Sequence, residues 1–387
     1  MKKKLCIVTG TRAEYGLFLP LLQKIKKDNK FILQIIATGM HLLPEFGLTY
    51  REIERDGFRI NAKVDLHLLG DSDVDIDKAI GRGISVFAAS FQRLKPDLIM
   101  VLGDRFETFA ATVSSFVLKI PIVHLYGGEV TEGVIDDAFR HAITKMSYLH
   151  FTSTEEYSKR VIQLGEDPRR VFTVGALGID NIKRTRLLNK SELEKVIKFK
   201  FGDRNVLVTY HPVTLERNTA KSQFKELLST LDIFQGLKVI FTKPNADVGS
   251  RIIIKLIEEY VKNNPNKAIA FSSLGQQKYL STVKYVDTVI GNSSSGIIEV
   301  PSFGKPTVNI GDRQKGRIKA KSVIDCNPSK ESIFKALRKA FTPQFREFCK
   351  TVENPYGDGR AAKRIMRILK KKAFCIRGIK KSFYNLR

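Results

Sequence analysis

The sequence of residues 121–145 is PIVHLYGGEVTEGVIDDAFRHAITK. Its first five residues form a largely apolar run that predicts a buried strand, and apolar residues at helical spacing begin near Asp136. The stretch is rich in groups that move protons or bind anions, namely His124, Glu129, Glu132, Asp136, Asp137, Arg140, His141 and Lys145. Open α/β sheets bind their ligands outside the carboxyl ends of their strands, so the loop after this strand is a candidate ligand-binding site. Solvated acids that cap a helix would explain the same residues, so this stretch alone does not distinguish the two interpretations.

Short apolar runs alternate with amphipathic segments on both sides of this stretch. In the first half they predict strands at 4–9, 31–38, 97–102, 121–125, 149–153 and 171–174, and helices at 17–27, 79–94, 105–118 and 136–146. A polar, lysine-rich segment at 179–203 predicts a linker with one helix. The alternation then restarts, with strands at 205–210, 237–242, 268–272, 287–290 and 306–310 and helices at 221–234, 249–263 and 360–371. The sequence therefore predicts the α/β class, with two Rossmann-like, doubly wound domains that face a cleft.

The composition is strongly basic. The chain has 387 residues, of which 43% are hydrophobic, and its formal net charge of +26 suits an anionic partner. Residues 363–387 hold ten lysines and arginines and no acid. This basic tail could lie on an acidic membrane surface, or it could be a solvated helix end followed by a disordered segment. The sequence has no nucleic-acid-binding motif and no tryptophan, so we expect no nucleic-acid partner.

The cysteines and the N-terminus indicate the compartment. The four cysteines are far apart and lack the spacing of a metal or redox site. The basic N-terminus is followed by an apolar run that is too short for a signal peptide, and no stretch of the sequence is long enough to span a membrane. We therefore expect a cytoplasmic protein.

Two loops in the first half could bind an anion. Arg12 follows a glycine turn after the first predicted strand, where backbone N–H groups and a guanidinium could contact a phosphate. Asp104 and Arg105 follow another strand, so an acid and a cation stand together at its carboxyl end. A plain turn would explain the first loop, and a helix cap would explain the second.

The second half has a stronger candidate for a phosphate site. Residues 291–296 (GNSSSG) follow a strand and open a helix, so three hydroxyls and unpaired helix N–H groups suit a pyrophosphate. Glu299 lies one turn further and could accept hydrogen bonds from ribose hydroxyls. Arg313 follows the next strand, and His211 ends an earlier one beside a proline. The lysine of a P-loop is missing, and a lone histidine is more often structural than functional.

The motifs GTRAEYG, GDR, HxxGGE, DDxxRHAITK, HP, GNSSSGIxEVP, GDRQ and NPYGDGRA follow one another in this order. Together they resemble the UDP-N-acetylglucosamine 2-epimerase family, and RHAITK and GNSSSG resemble its hydrolysing branch. The resemblance implies the two-domain glycosyltransferase-B architecture, in which a C-terminal helix crosses back to the first domain. It implies an N-terminal domain at 1–180, a C-terminal nucleotide-binding domain at 181–358, the returning helix at 359–371 and the basic tail at 372–387.

The resemblance also implies a mechanism. A base removes the proton from C2 of the sugar while the nucleoside diphosphate leaves C1, and water then adds to the resulting 2-acetamidoglucal as C2 is reprotonated from the other face. With UDP-N-acetylglucosamine the products are N-acetylmannosamine and UDP, which serve sialic-acid-type biosynthesis. The reaction uses carboxylates on both faces of the sugar and cations on the departing diphosphate. It needs neither a nicotinamide cofactor nor a metal.

Positions that match the motifs of the epimerase family imply roles for individual residues. The acid/base set would be Asp104, Glu129, Asp136 and Asp137. Arg140 would orient Asp136, and His211 would lie near the phosphates and C1. The nucleotide-binding set would be Arg12, Arg105, Ser293, Ser294, Glu299 and Arg313. The chain departs from the family at Tyr126, where many relatives carry a carboxylate; Glu129 could take that role, or the site could use fewer acids.

Several substrates and one other class of protein stay open. The same chemistry on GDP-N-acetylglucosamine, or on a UDP-linked 2,4-diacetamido trideoxy sugar, would serve a legionaminic-acid-type route, and the motifs do not separate these donors. A non-catalytic nucleotide-sugar-binding protein is an alternative, although buried carboxylates are costly unless they are used or paired. The partners that the resemblance implies are a nucleotide-sugar substrate and further copies of the chain, as a homodimer or homotetramer.

Overall fold

The chain folds into two compact units. The structure, a computed structural model, describes residues 2–70, 72–132, 134–213, 216, 219–244, 247 and 249–386. The first unit comprises Met1–Glu129, Ile135–Lys183 and Tyr356–Arg387, and the second comprises Val130–Val134 and Arg184–Pro355. We predicted a division near residue 180, but the sequence did not predict that five residues of the stretch at 121–145 cluster with the second unit. In the described part of the chain, no helix is both long and apolar enough to cross a membrane.

The first unit is built on a sheet of seven parallel strands. They are β1 (Lys3–Thr9), β2 (Phe31–Thr38), β3 (Ala62–Val64), β4 (Leu98–Leu102), β5 (Ile122–Leu125), β6 (Leu149–Thr152) and β7 (Val171–Thr173). Their spatial order is β3-β2-β1-β4-β5-β6-β7, so the order reverses between β1 and β4. Every residue of β4 and β5 is buried, as expected for a parallel sheet that helices cover on both faces.

In the described part of the chain, six helices connect these strands and a seventh follows β7. They are α1 (Arg12–Lys26), α2 (Tyr50–Arg55), α3 (Asp73–Leu94), α4 (Phe106–Val117), α5 (Asp136–Met146), α6 (Glu155–Gln163) and α7 (Leu177–Arg184). The N-terminal ends of α1 and α3 are fixed by capping side chains. Thr11 caps α1 by accepting a hydrogen bond from the N–H of Glu14, and Ser72 and Asp75 form a capping box that starts α3.

The second unit has a sheet of six parallel strands. They are β8 (Arg204–Thr209), β9 (Leu237–Thr242), β10 (Ala268–Phe271), β11 (Thr288–Gly291), β12 (Thr307–Ile310) and β13 (Val323–Cys326). Their order is β10-β9-β8-β11-β12-β13, which reverses between β8 and β11. The helices are α8 (Lys190–Ile197), α9 (Ala220–Ile233), α10 (Ser250–Asn263), α11 (Gly275–Tyr285), α12 (Ser294–Ile298), α13 (Lys330–Phe341) and α14 (Pro343–Lys350). Val206 and Val208 belong to one hydrophobic core and Leu207 to another, so helices pack on both faces of the sheet.

The predicted α/β class with two doubly wound sheets is confirmed. The predicted strand at 31–38 and helix at 136–146 match β2 and α5 residue for residue. The sequence did not predict β3 and β13, because β3 has three residues and β13 lies at a sheet edge without a buried residue. The helix predicted at 17–27 begins five residues earlier, at Arg12, since the cap of Thr11 extends it past Gly16.

The last helix, α15 (Ala361–Lys372), is part of the first unit. Asp180 holds its start, because the two carboxylate oxygens accept hydrogen bonds from the N–H groups of Ala361 at 2.8 Å and Ala362 at 3.0 Å. These are N–H groups that the first turn of a helix leaves without partners of its own. Asp180, which lies on α7, therefore ties α15 to the rest of the first unit.

The basic tail after α15 is bound to the first unit as well. The Nζ of Lys381 donates to Glu166 Oε2 at 2.6 Å and to the carbonyl of Ser147 at 2.7 Å. The N–H of Tyr384 donates to the carbonyl of Gly165 at 2.9 Å. A solvated, disordered tail was one of our two interpretations, and this structure contradicts it for these residues. The reason is that a buried carboxylate offers the tail a fixed ionic partner.

Glu166 is the centre of this attachment. It also accepts hydrogen bonds from Lys145 Nζ at 2.8 Å and from His150 Nε2 at 3.1 Å. Burial raises the pKa of Glu166, but the hydrogen bonds and charges of His150, Lys145 and Lys381 outweigh burial and hold this pKa at about 2.

We expect Glu166→Gln to destabilise the first unit by about 2 kcal/mol at pH 7, since a neutral amide replaces an acceptor of charged hydrogen bonds. The folded-state pKa is depressed, so the stabilisation is present above the ordinary carboxyl pKa of 4.5 and is lost as the pH falls towards about 2. Urea denaturation from pH 3 to pH 8 measures this, and the gap between wild type and variant should narrow at acidic pH. Glu331→Gln is the matched control, because Glu331 and its partner Lys335 are exposed. A Glu166 variant with unchanged stability at pH 7 would contradict the prediction.

Candidate active site

In the first unit, the loops after β1 and β4 lie side by side where the strand order reverses. A Cβ atom built on Gly10 would lie 2.4 Å from the Cγ atom of Glu107, so the close approach of the loops requires glycine. The Nε of Arg105 donates to Glu107 Oε1 at 2.8 Å, and the Nε of Arg12 donates to Glu52 Oε2 at 2.6 Å. Both arginines that the sequence assigned to the nucleotide therefore have carboxylate partners here. Each guanidinium has four further N–H donors.

Arg140 joins the predicted acids. Its side chain is only 1% exposed, while those of Asp104 and Asp137 are 22% and 24% exposed. Its Nη2 donates to Asp104 Oδ2, and its Nη1 donates to Asp137 Oδ1 at 3.1 Å and to the carbonyl of Glu129 at 2.9 Å. One buried cation thus links the loop after β4, the loop after β5 and the first turn of α5.

The resemblance implied that Arg140 would orient Asp136, and this pairing stays a prediction. The structure adds Asp137, three residues before Arg140, and Asp104 as carboxylate partners of Arg140. Asp136 opens α5 beside this pair. Asp137 and His141 are four residues apart on α5, a spacing at which side chains can meet, and 3.5 Å separates Asp137 Oδ2 from His141 Nε2.

Glu129 is buried, and its Oε1 accepts a hydrogen bond from the hydroxyl of Ser153, just after β6, at 2.9 Å. The glycine before it, Gly128, has φ of +79°, and a Cβ atom there would lie 2.2 Å from the carbonyl oxygen of Tyr157. The backbone at this turn therefore has to be glycine. The motif places Glu129 in a defined position at the carboxyl edge of the sheet.

His124 has a structural role. Its Nε2 donates to the carbonyl of Gly103 at 2.8 Å, so its Nδ1 accepts from the hydroxyl of Thr144, which is 3.1 Å away. Burial lowers the pKa of His124 to about 3, although the hydrogen bond to Gly103 opposes this shift. The imidazole is neutral, and it holds the loop that carries Asp104.

Tyr126, where the chain departs from the family pattern, is also structural. It is buried, has φ of +66°, and its hydroxyl accepts a hydrogen bond from the N–H of Leu177 at 2.7 Å. The side chain therefore secures the start of α7.

In the second unit, the loops after β8 and β11 meet where the strand order reverses. The N–H of His211 donates to Asn292 Oδ1 at 2.7 Å, and Asn292 Nδ2 donates to the carbonyl of His211 at 2.8 Å. The carbonyl of Asn292 accepts from Arg313 Nη1 at 3.1 Å and from Gln314 Nε2 at 2.8 Å. The HP, GNSSSG and GDRQ motifs therefore come together around one asparagine.

The serines of GNSSSG start α12, which has only five residues. Ser293 caps it by accepting a hydrogen bond from the N–H of Ser295, and Ser294 is its first residue. Because so short a helix has a small dipole, an anion here would depend mainly on individual N–H and hydroxyl groups. Burial raises the pKa of Glu299 at the end of α12, although a hydrogen bond from Ser295 opposes this shift.

A family model described as UDP-N-acetylglucosamine 2-epimerase matches residues 23–370. The chain belongs to the UDP-N-acetylglucosamine 2-epimerase family. This confirms the family that the motifs predicted, and with it an enzyme that acts on nucleotide sugars.

Relatives in this epimerase family indicate the branch. The GDP/UDP-N,N'-diacetylbacillosamine 2-epimerase (hydrolyzing) of Campylobacter jejuni is 44% identical over 346 residues, which are 89% of each chain. The polysialic acid biosynthesis protein P7 of Escherichia coli is 40% identical over 372 residues, 95% of this chain and 94% of that protein. The predicted hydrolysing branch is confirmed.

A solved epimerase structure supports the fold. The UDP-GlcNAc 2-epimerase of Neisseria meningitidis bound to UDP-GlcNAc has a TM-score of 0.78, with 95% of this chain and 100% of that chain covered. The two chains are 19% identical, so the likeness concerns the fold alone. The predicted glycosyltransferase-B-like class is confirmed.

The sequence analysis missed four residues that contact the candidate site residues or their loops, namely Glu14, Ser153, Asp247 and Asn292. Glu14 and Asn292 lie inside motifs that we quoted, but the motifs gave us no role for either side chain. Glu14 Oε2 accepts a hydrogen bond from the N–H of Gly10 at 2.6 Å, and burial raises the Glu14 pKa to about 8. It is therefore protonated at neutral pH and shapes the loop before Arg12. Ser153 and Asp247 stand outside the motifs, and we found no sequence signal for them.

Proposed function

We propose that this chain is a hydrolysing nucleotide-sugar 2-epimerase whose acid/base set is Asp104, Glu129, Asp136 and Asp137. The observation that supports this most directly is the buried Arg140, which binds Asp104, Asp137 and the carbonyl of Glu129. A buried guanidinium offsets the repulsion between neighbouring carboxylates, so several acids can stand at one edge of the sheet.

The proposed reaction needs such a set of acids. One carboxylate takes the C2 proton as the bond between C1 and the diphosphate oxygen breaks, and the electron pair of that bond leaves with the nucleotide. Water then adds to C1, and a second acid returns a proton to C2 from the opposite face. Arg140 contributes by holding Asp104 and Asp137 in fixed positions, which lowers the cost of reaching the reactive geometry.

The proposed nucleotide-binding set has members in each unit. In the second unit, Ser293, Ser294 and Arg313 would contact the diphosphate, Glu299 the ribose, and His211 the phosphate next to C1. In the first unit, Arg12 and Arg105 would add cations while each keeps its carboxylate partner. Cations and N–H groups aimed at the leaving diphosphate stabilise the negative charge that develops there.

Two kinds of donor have specific support. The relative that is 44% identical is named for GDP- or UDP-linked N,N'-diacetylbacillosamine, which favours a 2,4-diacetamido donor. A relative from Neisseria meningitidis serogroup B, 30% identical over 88% of each chain, is named UDP-N-acetylglucosamine 2-epimerase. We propose the 2,4-diacetamido donor first and UDP-N-acetylglucosamine, with N-acetylmannosamine as product, second.

Product analysis by NMR tests the proposal. The purified protein is incubated in D₂O with the UDP-linked 2,4-diacetamido sugar, with its GDP counterpart and with UDP-N-acetylglucosamine, and the sugar and phosphorus signals are followed. We expect a free 2-epimer with deuterium at C2, together with released nucleoside diphosphate, from the preferred donor. Deuterium at C2 reports the proton exchange, and the free diphosphate reports the hydrolysis.

The outcomes separate the alternatives. Turnover of one donor alone identifies the substrate. A nucleotide-linked 2-epimer would show a non-hydrolysing epimerase, which would overturn the hydrolytic part of the proposal. Nucleotide binding without any product from the three donors would overturn catalysis and leave a nucleotide-sugar-binding protein.

A further inference from the structure

Asn292 is buried at the carboxyl end of β11 and uses every polar atom of its side chain and backbone on the neighbouring loops. Besides the paired bonds to His211, its N–H donates to the carbonyl of Thr209 at 3.1 Å. The amide side chain thus pairs with the backbone of His211 in both directions, as a neighbouring strand would. An amide is required for this, because it has both a donor and an acceptor at its tip.

The imidazole of His211 has a second fixed neighbour. Its Nδ1 lies 3.6 Å from Oδ2 of Asp247, and both side chains are nearly buried, at 8% and 11% exposure. A carboxylate beside Nδ1 favours the form of the ring that carries a hydrogen on Nδ1, and it restricts rotation of the ring.

We propose that Asn292 and Asp247 are positioning residues that together set the place and the orientation of His211. Asn292 places the backbone of His211 relative to the GNSSSG and GDRQ loops, and Asp247 fixes the orientation of the imidazole relative to the phosphate next to C1. The inference rests on the proposed function in one respect, which is that His211 acts on the nucleotide sugar.

A matched pair of variants tests the role of Asn292. Asn292 directly follows β11 and Asn309 lies in the neighbouring strand β12; both are 1% exposed, but the amide of Asn309 donates to Asp325, away from His211. We expect Asn292→Ala to lower kcat by about 10- to 100-fold with a smaller change in KM, since misplacement of a catalytic group by about 1 Å can cost that much. Asn309→Ala should keep the wild-type kcat, even if it lowers the melting temperature as much as Asn292→Ala does.

Two substitutions at Asp247 separate orientation from charge. Asp247→Asn keeps an oxygen that can accept from Nδ1–H, whereas Asp247→Ala removes it. We expect the asparagine variant to keep a larger share of kcat than the alanine variant, while both bind nucleoside diphosphate. Equal and complete retention of kcat in both would overturn the role of Asp247.

A spectroscopic readout does not depend on turnover. The chain has six histidines, so the ring nitrogens of ¹⁵N-histidine-labelled protein can be resolved, and His211→Gln identifies the signal of His211. We expect a hydrogen on Nδ1 in the wild type, and a shift towards the Nε2–H form in Asp247→Ala. An Nε2–H ring in the wild type would overturn the inference, even if the protein turns over no donor. A wild type that turns over, with Asn292→Ala at the wild-type kcat, would overturn it and leave the proposed function intact.

Discussion

Asp104→Asn is expected to lower kcat by at least about 100-fold while nucleoside diphosphate still binds, because positioned acid–base groups contribute about 10²- to 10⁴-fold. Asparagine has nearly the same shape and can still accept a hydrogen bond from Arg140. It cannot take or return a proton, so the loss should fall on turnover and spare binding. Rates of nucleotide release and calorimetric titration with UDP measure the two effects separately.

Two further variants sharpen this experiment. Asp136→Asn is expected to behave in the same way, because Asp136 belongs to the same proposed acid/base set. Asp56→Asn is the control, since its carboxylate lies in the first unit but accepts from the hydroxyl of Tyr15, away from the Arg140 cluster. Near-wild-type kcat in both Asp104→Asn and Asp136→Asn would refute the assignment of these acids.

Arg140→Met is expected to remove activity and to destabilise the first unit by about 3 kcal/mol. Removing one partner of a buried ion pair leaves the other charges without compensation, which is more costly than never having had the pair. Here two carboxylates and a backbone carbonyl lose their donor together. Arg140→Lys should recover part of the stability but little activity, since an ammonium cannot place two carboxylates through one planar fork.

Denaturation curves and kcat measure the two effects. Because Asp104 and Asp137 are partly exposed, water will solvate their charges and replace part of the stabilisation that Arg140 provided. The double variant Asp104→Asn with Arg140→Met should therefore be less destabilised than the sum of its single variants, as expected for groups in contact. Arg169→Met is the control, because that arginine forms an exposed pair with Asp167 and should change stability little. Additive losses in the double variant would contradict the proposed coupling.

The motif at 121–145 shows how far sequence reasoning extends to the site. It located the strand β5 and the helix α5, and it contains Asp137, one of the acids that bind Arg140. It could not place Asp104 beside Arg140, because Asp104 belongs to another loop and no local spacing relates the two residues. It also treated His124 as a proton carrier, although the strand buries this ring and makes it neutral.

The α/β class, the presence of two sheets and the family could be predicted from the sequence alone. The spacing of apolar residues that indicates a strand or a helix depends only on neighbouring residues, and the order of the motifs can be read along the chain. The tertiary structure alone decided which groups meet, as the bond between Asp104 and Arg140 spans 36 positions and that between His211 and Asn292 spans 81. Such pairs depend on which strands become neighbours. That order is set by the burial of whole sheets against their helices, and no local spacing contains it.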